Sequence, residues 1–228
     1  MTIAVERAAD WPPPSPGTAP TAGEPDVGFL PPLLRRRCSR LTRMMLSVAY
    51  DVCPADQRST LPVVFASRYG EATSTLGLLE TLARREPLTA GVFSHSVHNT
   101  QAGIFGISTR NRAMASAVAA GPDTFGAAFL EAVVAAHRDG GAALLVVADE
   151  PLPGPFACFQ EEPPAPYAVA LLLGAAGVRL EFAPGIGTPC PDRSHRDALR
   201  FVAWIGSTEP RLTLGAATPY TWTRCADP

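Results

Sequence analysis

Ser94, His95, His98 and Asn99 lie close together in the segment Phe93-Ser-His-Ser-Val-His-Asn-Thr-Gln-Ala-Gly103, the densest group of chemistry-bearing side chains in the chain. Two histidines at i, i+3 share a helix face and would suit a pair of metal ligands. Only His137 and His195 remain as further histidines, and no carboxylate is near in sequence, so no metal site is expected. Ser94 beside His95 has the types of a nucleophile and its base. No Gly-x-Ser-x-Gly turn supports a hydrolase, however. Five cysteines (Cys38, Cys53, Cys158, Cys190, Cys225) include no Cys-x-x-Cys pair, and their number is odd. Neither a disulfide framework nor a zinc site is signalled, and reduced thiols in the cytosol are the simplest reading. All 19 basic residues are arginine. Any mechanism that needs a lysine, such as a Schiff base, is thereby excluded, although a G+C-rich genome explains the bias without invoking function.

The elements that must position these residues follow from periodicity. Residues 2–8 read as a strand, and the Pro-rich stretch 11–32 as an extended connection. Leu34, Cys38, Leu41, Met45 and Val48 form one apolar face of a helix over 32–52, with Arg36, Arg40 and Arg43 opposite. A buried strand over 61–67 precedes a helix over 71–85 with Leu76, Leu79 and Leu82 inward. Pro87 and Gly91 mark a loop. Residues 97–109 suit a buried helix in which Gly103 and Gly106 suggest close packing. A strand over 114–118 leads to a helix over 122–138, where Pro122 fits the first turn and Asp123 the dipole. A buried strand covers 142–148 and a Pro-rich connection 151–166. Residues 167–173 and 178–182 read as a hairpin, and 196–205 as a last helix. This alternation predicts an α/β fold.

Length and composition fit one domain over 1–228, with 184–228 an unassigned appendage. The net charge of −2 gives no case for nucleic acid. No apolar run approaches the roughly 20 residues of a membrane span. The N-terminus lacks a signal-peptide pattern, so a cytoplasmic protein is expected.

Over residues 28–173 the chain resembles the β-ketoacyl synthases. The stretch Ala115-Ser-Ala-Val-Ala-Ala-Gly121, with the helix after it, is similar to the Thr-Ala-Cys-Ala-Ser/Gly-Gly form around their nucleophile. There a cysteine at the start of a buried helix attacks an acyl thioester. Counting back from Gly121 puts Val118 at the cysteine position. His98-Asn99 and the following Ala-Gly103 resemble the helix start before the family's interface strand. The early stretch Phe29–Arg43 and the strand-like Tyr167–Leu173 are similar as well. The family's two catalytic histidines, in His-Gly-Thr-like and Gly-His-like contexts, and its lysine have no counterpart.

Ser96-Val-His-Asn99 and Val147-Ala-Asp-Glu-Pro-Leu-Pro153 resemble the half-size chain length factors of aryl polyene clusters in particular. That resemblance implies a thiolase-like α/β fold, truncated to the N-terminal half of a synthase. It implies no cofactor and no catalytic residue. It also implies pairing with a full-length ketosynthase and a part in setting polyene acyl length. On this reading Met114, Ser116 and Val118, with His98 and Asn99, belong to the interface. Leu76, Leu78 and Leu79 line the tunnel end, and a transient acyl carrier protein would meet Arg36, Arg40 and Arg43. The alternative is a stand-alone acyl-thioester hydrolase or transferase using Ser94 or Ser116.

Overall fold

The computed structural model describes residues 1–12, 23–138, 141–160, 165–189 and 196–226. Its strands are β1 (Thr2–Trp11), β2 (Val63–Ala66), β3 (Ala115–Val118), β4 (Ala143–Asp149), β5 (Tyr167–Gly174), β6 (Val178–Pro184), β7 (Arg211–Leu214) and β8 (Tyr220–Arg224). They form one sheet in the order β3-β2-β4-β5-β1-β6-β8-β7. β2 pairs in parallel with β3 and with β4, and every other neighbour is antiparallel.

The central strands are apolar throughout because both sheet faces are covered. Leu145, Val147, Val169 and Leu171 point to one core, and Leu144, Val146, Ala170 and Leu172 to the other. The first core is closed by α6 (Thr124–Arg138) and α7 (Asp197–Ile205), whose Phe125, Phe129 and Phe201 meet Phe182 and Trp222. The second is closed by α2 (Arg40–Val52) and α5 (Thr100–Thr109), through Leu41, Met45, Val48, Ile104 and Phe105. Short α1 (Pro32–Arg35) precedes α2, while α3 (Ala72–Ala83) and α4 (Ala90–Ser94) fill the excursion between β2 and α5.

Several sequence expectations are corrected here. The helix over 32–52 is two helices: the chain breaks at 36–39, and the Ser39 side chain caps α2 by accepting from the Thr42 N–H. The apolar spacing persists across the break because Cys38 stays buried. β5 and β6 are not a hairpin, since β1 lies between them and pairs with both. Gly177, at φ +90°, lets the connection cross close over the Val5 carbonyl, where any Cβ would clash. The presumed appendage is part of the sheet: β7 and β8 extend it, and Trp222 is fully buried. Asp123 does not merely serve a helix dipole. It accepts backbone N–H bonds from Ala216, Ala217 and Thr218 and so ties the β7–β8 turn to α6. The connection over 151–166 contains a 3-10 helix, Gly154–Phe159, and the loop at Gly91 is the short α4.

The helix over 71–85 forms as α3, but its leucines are not inward. None of its residues is buried, and Leu79 and Leu82 are 50% and 59% exposed. The reason is positional. α2, α5, α6 and α7 occupy the sheet faces, so α3 lies on α4 with its apolar side uncovered. Gly103 likewise has nothing within contact distance, and a Cβ on Gly106 would meet only the Asn111 carbonyl at 3.4 Å, so Gly103 marks an open groove rather than close packing.

Candidate functional site

β3 is one of the two edge strands of the sheet and, among the described residues, pairs only with β2. Its phase is fixed by two bonds: the Val63 N–H donates to the Met114 carbonyl, and the Ser67 N–H to the Val118 carbonyl. In a parallel ladder the groups of alternate residues face one neighbour. Met114, Ser116 and Val118 therefore spend their backbone groups on β2, and Ala115 and Ala117 turn theirs outward. The Ala115 and Ala117 side chains are exposed too. An unpaired strand edge of this kind is a template for another strand.

The end of β3 is held by the turn that precedes α5. His98 Nε2 lies 3.1 Å from the Val118 carbonyl. A carbonyl only accepts, so Nε2 carries the proton and donates it. The other ring nitrogen lies against Gly70, where a Cβ would come within 2.7 Å of Nδ1 and φ is +55°. The two residues that the sequence picked out thus meet directly. Val118 is the last residue of β3 and packs partly on the first core; a 3-10 turn (Gly121–Asp123) separates it from α6. It is not at a helix start.

No activated thiol stands nearby among the described residues. Cys38 and Cys53 are buried in the second core, which raises both thiols, Cys53 to about 11. Ser116 donates to Glu131 Oε1 at 2.8 Å and Ser94 to the Gly91 carbonyl at 2.9 Å, so neither serine is bonded to a histidine. His137 is bonded to the Val133 carbonyl within α6. No cluster of metal-ligating side chains occurs among the described residues, and no helix there is long and apolar enough to cross a membrane.

Two polar clusters that the sequence reading missed organise the loop between β2 and α3. Asp149, at the C-terminal end of β4, accepts through Oδ1 from the Ser67 hydroxyl at 2.7 Å and from the N–H groups of Arg68 and Tyr69 at 2.8 and 3.2 Å. Its Oδ2 accepts from the Tyr167 hydroxyl. Complete burial pushes this carboxyl up to about 6, against the lowering effect of those four donors. Glu71, buried just before α3, accepts from Ser39, Thr42 and Gln101 through Oε1 and from Ser74 through Oε2. The only sequence signal for Asp149 was an acid closing an apolar run, in the Val147–Pro153 phrase.

The remaining expected site residues fall into separate regions. Asn99 and Ser116 line a groove of about 520 Å³ beside β3, with Gly103, Gly106, Ile107 and Arg112. Ile107 is 70% exposed there. Leu78 lines a cavity of about 230 Å³ between α3 and α4, with Leu88 and Val92. Leu76 is half-buried and Leu79 exposed on the same helix. Val92 and Phe93 of α4, also missed, continue this exposed apolar face. Of the three arginines, Arg40 lies 4.0 Å from Glu150 and over Trp11. Arg43 is bonded to the Cys38 and Arg35 carbonyls. Arg36 is exposed and lines a cavity of about 470 Å³ with Arg37, Ser39 and His95.

Comparison with known proteins gives a consistent fold. Residues 9–214 match the model for the β-ketoacyl synthase N-terminal domain. No curated protein is similar in sequence. A chain from the complex of a ketosynthase with its chain length factor, from Xenorhabdus doucetiae, is similar in structure with TM-score 0.79 and 22% identity, covering 98% of this chain and 100% of that one. The ishigamide ketosynthase/chain length factor gives 0.64 and 14%, over 86% of this chain and 83% of that one. A β-ketoacyl synthase from Burkholderia phymatum gives 0.55 and 13%, over 74% of this chain but 51% of that one.

Proposed function

The chain belongs to the β-ketoacyl synthase N-terminal-domain family and has a thiolase-like α/β fold, and on that premise we propose that it is a non-catalytic chain-length-factor subunit. Its partner is a full-length ketosynthase, and the pair elongates acyl chains of the polyene or type II polyketide kind. Two of the similar structures are described as a ketosynthase with a chain length factor.

The observation that carries the reading is the state of β3. The strand that leads to a nucleophile in a working synthase ends here in Val118, whose side chain can neither attack a thioester nor accept a proton. The same strand has an open outer edge. It is fit to pair and unfit to react.

The division of labour follows from the geometry. Ala115 and Ala117 offer outward backbone groups to a strand of the ketosynthase, and His98 keeps the end of that edge in place. The uncovered side of α3 and α4 (Leu79, Leu82, Val92, Phe93) supplies apolar area for the same contact. α3 then stands at the end of the acyl tunnel, and Leu76, Leu78 and Leu79 limit the chain that fits. A filled tunnel rejects the longer chain sterically. The exposed Arg36 is the member of the arginine group placed to meet an acidic carrier protein.

The test is co-expression with a full-length ketosynthase from the same organism, followed by sizing and turnover assays. The account expects a stable complex that condenses acyl thioesters and a separate chain that does not. Turnover by the separate chain would instead favour the hydrolase or transferase reading with a serine nucleophile.

A further inference from the structure

α3 is unusual among the longer helices in what holds it. α2, α5, α6 and α7 each bury several side chains in a core, whereas α3 buries none. Hydrophobic packing therefore does little to fix its direction in this chain. What does reach its N-terminal end is polar. Glu71, 5% exposed, precedes its first residue. Glu71 Oε1 accepts from the Ser39 hydroxyl at 2.6 Å, the Gln101 amide at 2.6 Å and the Thr42 hydroxyl at 3.1 Å. Oε2 accepts from the Ser74 hydroxyl at 2.8 Å, in the first turn of α3 itself. One carboxylate thus joins the capped start of α2, the start of α5 and the start of α3. Both α2 and α5 are seated in the second core.

We propose that Glu71 is a specificity-determining positioning residue: it fixes α3 against α2 and α5, and so sets the acyl length that the complex releases. The proposal rests on the reading of α3 as the tunnel's end. A helix pinned at one end acts as a lever. α3 has 12 residues, a length of about 18 Å, so a tilt of about 10° at Glu71 moves its far end by about 3 Å. Such a movement is comparable to one two-carbon unit of a growing chain. The hydrogen bonds that prevent it are charge-assisted; those from Thr42 and Gln101 are buried, where such bonds are strongest, and those from Ser39 and Ser74 are partly buried. The partner covers the side of α3, but the end at Glu71 is set within this chain.

The experiment uses the complex with the ketosynthase and two variants, Glu71→Gln and Gln101→Ala. Glu71→Gln keeps the shape and removes the charge; Gln101→Ala removes one of the short bonds and carries the test should the first variant fail to fold. Two quantities are read: hydrogen exchange of the α3 amides, and the length distribution of carrier-bound products by mass spectrometry. The expected result is α3 exchange faster by about tenfold or more, the equivalent of one charge-assisted hydrogen bond, together with a broader product distribution displaced to longer chains. Unchanged exchange in both variants overturns Glu71 as the anchor. Faster exchange with unchanged lengths leaves the anchor in place but overturns its role in specificity; α3 as the tunnel's end is tested separately, by substitution of its leucines. A helix that served stability alone would not move the distribution.

Discussion

His98 donates from Nε2 to the carbonyl of Val118 at 3.1 Å, and the same carbonyl accepts the Ser67 N–H at 3.2 Å. The last carbonyl of this edge strand is thus bonded both to the residue that follows β2 and to the turn that precedes α5. Gly70 makes room for this, because its φ is +55° and a Cβ would press on His98 Nδ1. Gly70→Ala is expected to cost about 1–2 kcal/mol from the left-handed backbone alone, and more from displacing His98. Denaturant unfolding of the two proteins checks this. An alanine variant as stable as the parent would show that the loop has slack and that His98 is not held there.

Asp149 gives the chain a defined pH response. Its folded pKa, about 6, lies above the 3.8 of an ordinary aspartate. Between those values the folded state holds a proton that the unfolded state has lost, so stability falls as pH rises through the window and levels off above about 6. The shift corresponds to about 3 kcal/mol. Asp149→Asn keeps a carbonyl oxygen for Ser67, Arg68 and Tyr69 and presents an amide to the Tyr167 oxygen. The variant is expected to match or exceed the parent at pH 7–8 and to lose the decline between pH 4 and 6. A variant strongly destabilised at pH 8 would mean that the ionised carboxylate is what those donors need.

The open edge of β3 can be closed without touching the fold. Ala117 faces outward with both backbone groups, so Ala117→Pro removes no bond to β2. It removes an N–H that a partner strand would use. The variant chain is expected to unfold like the parent but to lose most of its affinity for the ketosynthase in a pull-down. Undiminished complex formation would take β3 out of the interface.

The elements made by local pattern were legible in the sequence, and those made by distant contacts were not. β4 and β5 read as strands because both sheet faces are buried and their residues are apolar, save Asp149 at the end of β4. α6 read correctly as a helix, although Pro122 and Asp123 fall in the 3-10 turn before its first residue, Thr124. The break before α2 was hidden because Cys38 keeps the helical spacing on both sides of it. β7 and β8 were missed because each is four or five residues long and acquires meaning only beside β6. His98 and Val118 stood out in the sequence because their surroundings resemble a known motif, and the structure brings the two together at 3.1 Å. The clusters around Asp149 and Glu71 were not legible, because their donors lie 18 to 82 positions away, apart from Ser74 beside Glu71. The inward side of α3 was misjudged for a related reason: apolar spacing says that a face will be covered, not by which chain.

That same face makes the leucine substitutions informative. Leu79 is half exposed, so Leu79→Ala is expected to cost the separate chain about 0.5 kcal/mol or less, against about 2–5 kcal/mol for a core leucine. Leu78→Ala enlarges the cavity shared with Leu88 and Val92. In the assembled complex Leu76→Ala, Leu78→Ala and Leu79→Ala are compared by the length of the carrier-bound product. At least one is expected to lengthen it by roughly one two-carbon unit, as extra space at a steric stop allows. Identical lengths from three well-assembled variants would remove α3 from the tunnel.

The central claim, a subunit that pairs but does not react, is tested most directly by mass spectrometry of the complex with the ketosynthase after exposure to an acyl thioester. The intact assembly should contain both chains, and after denaturation the acyl adduct should be on the ketosynthase alone. The same should hold for a complex carrying Val118→Cys, because among the described residues no pair of histidines faces position 118 and the sequence contains no lysine. An acyl group on this chain in its natural form, or condensation by the Val118→Cys chain without its partner, would contradict the account.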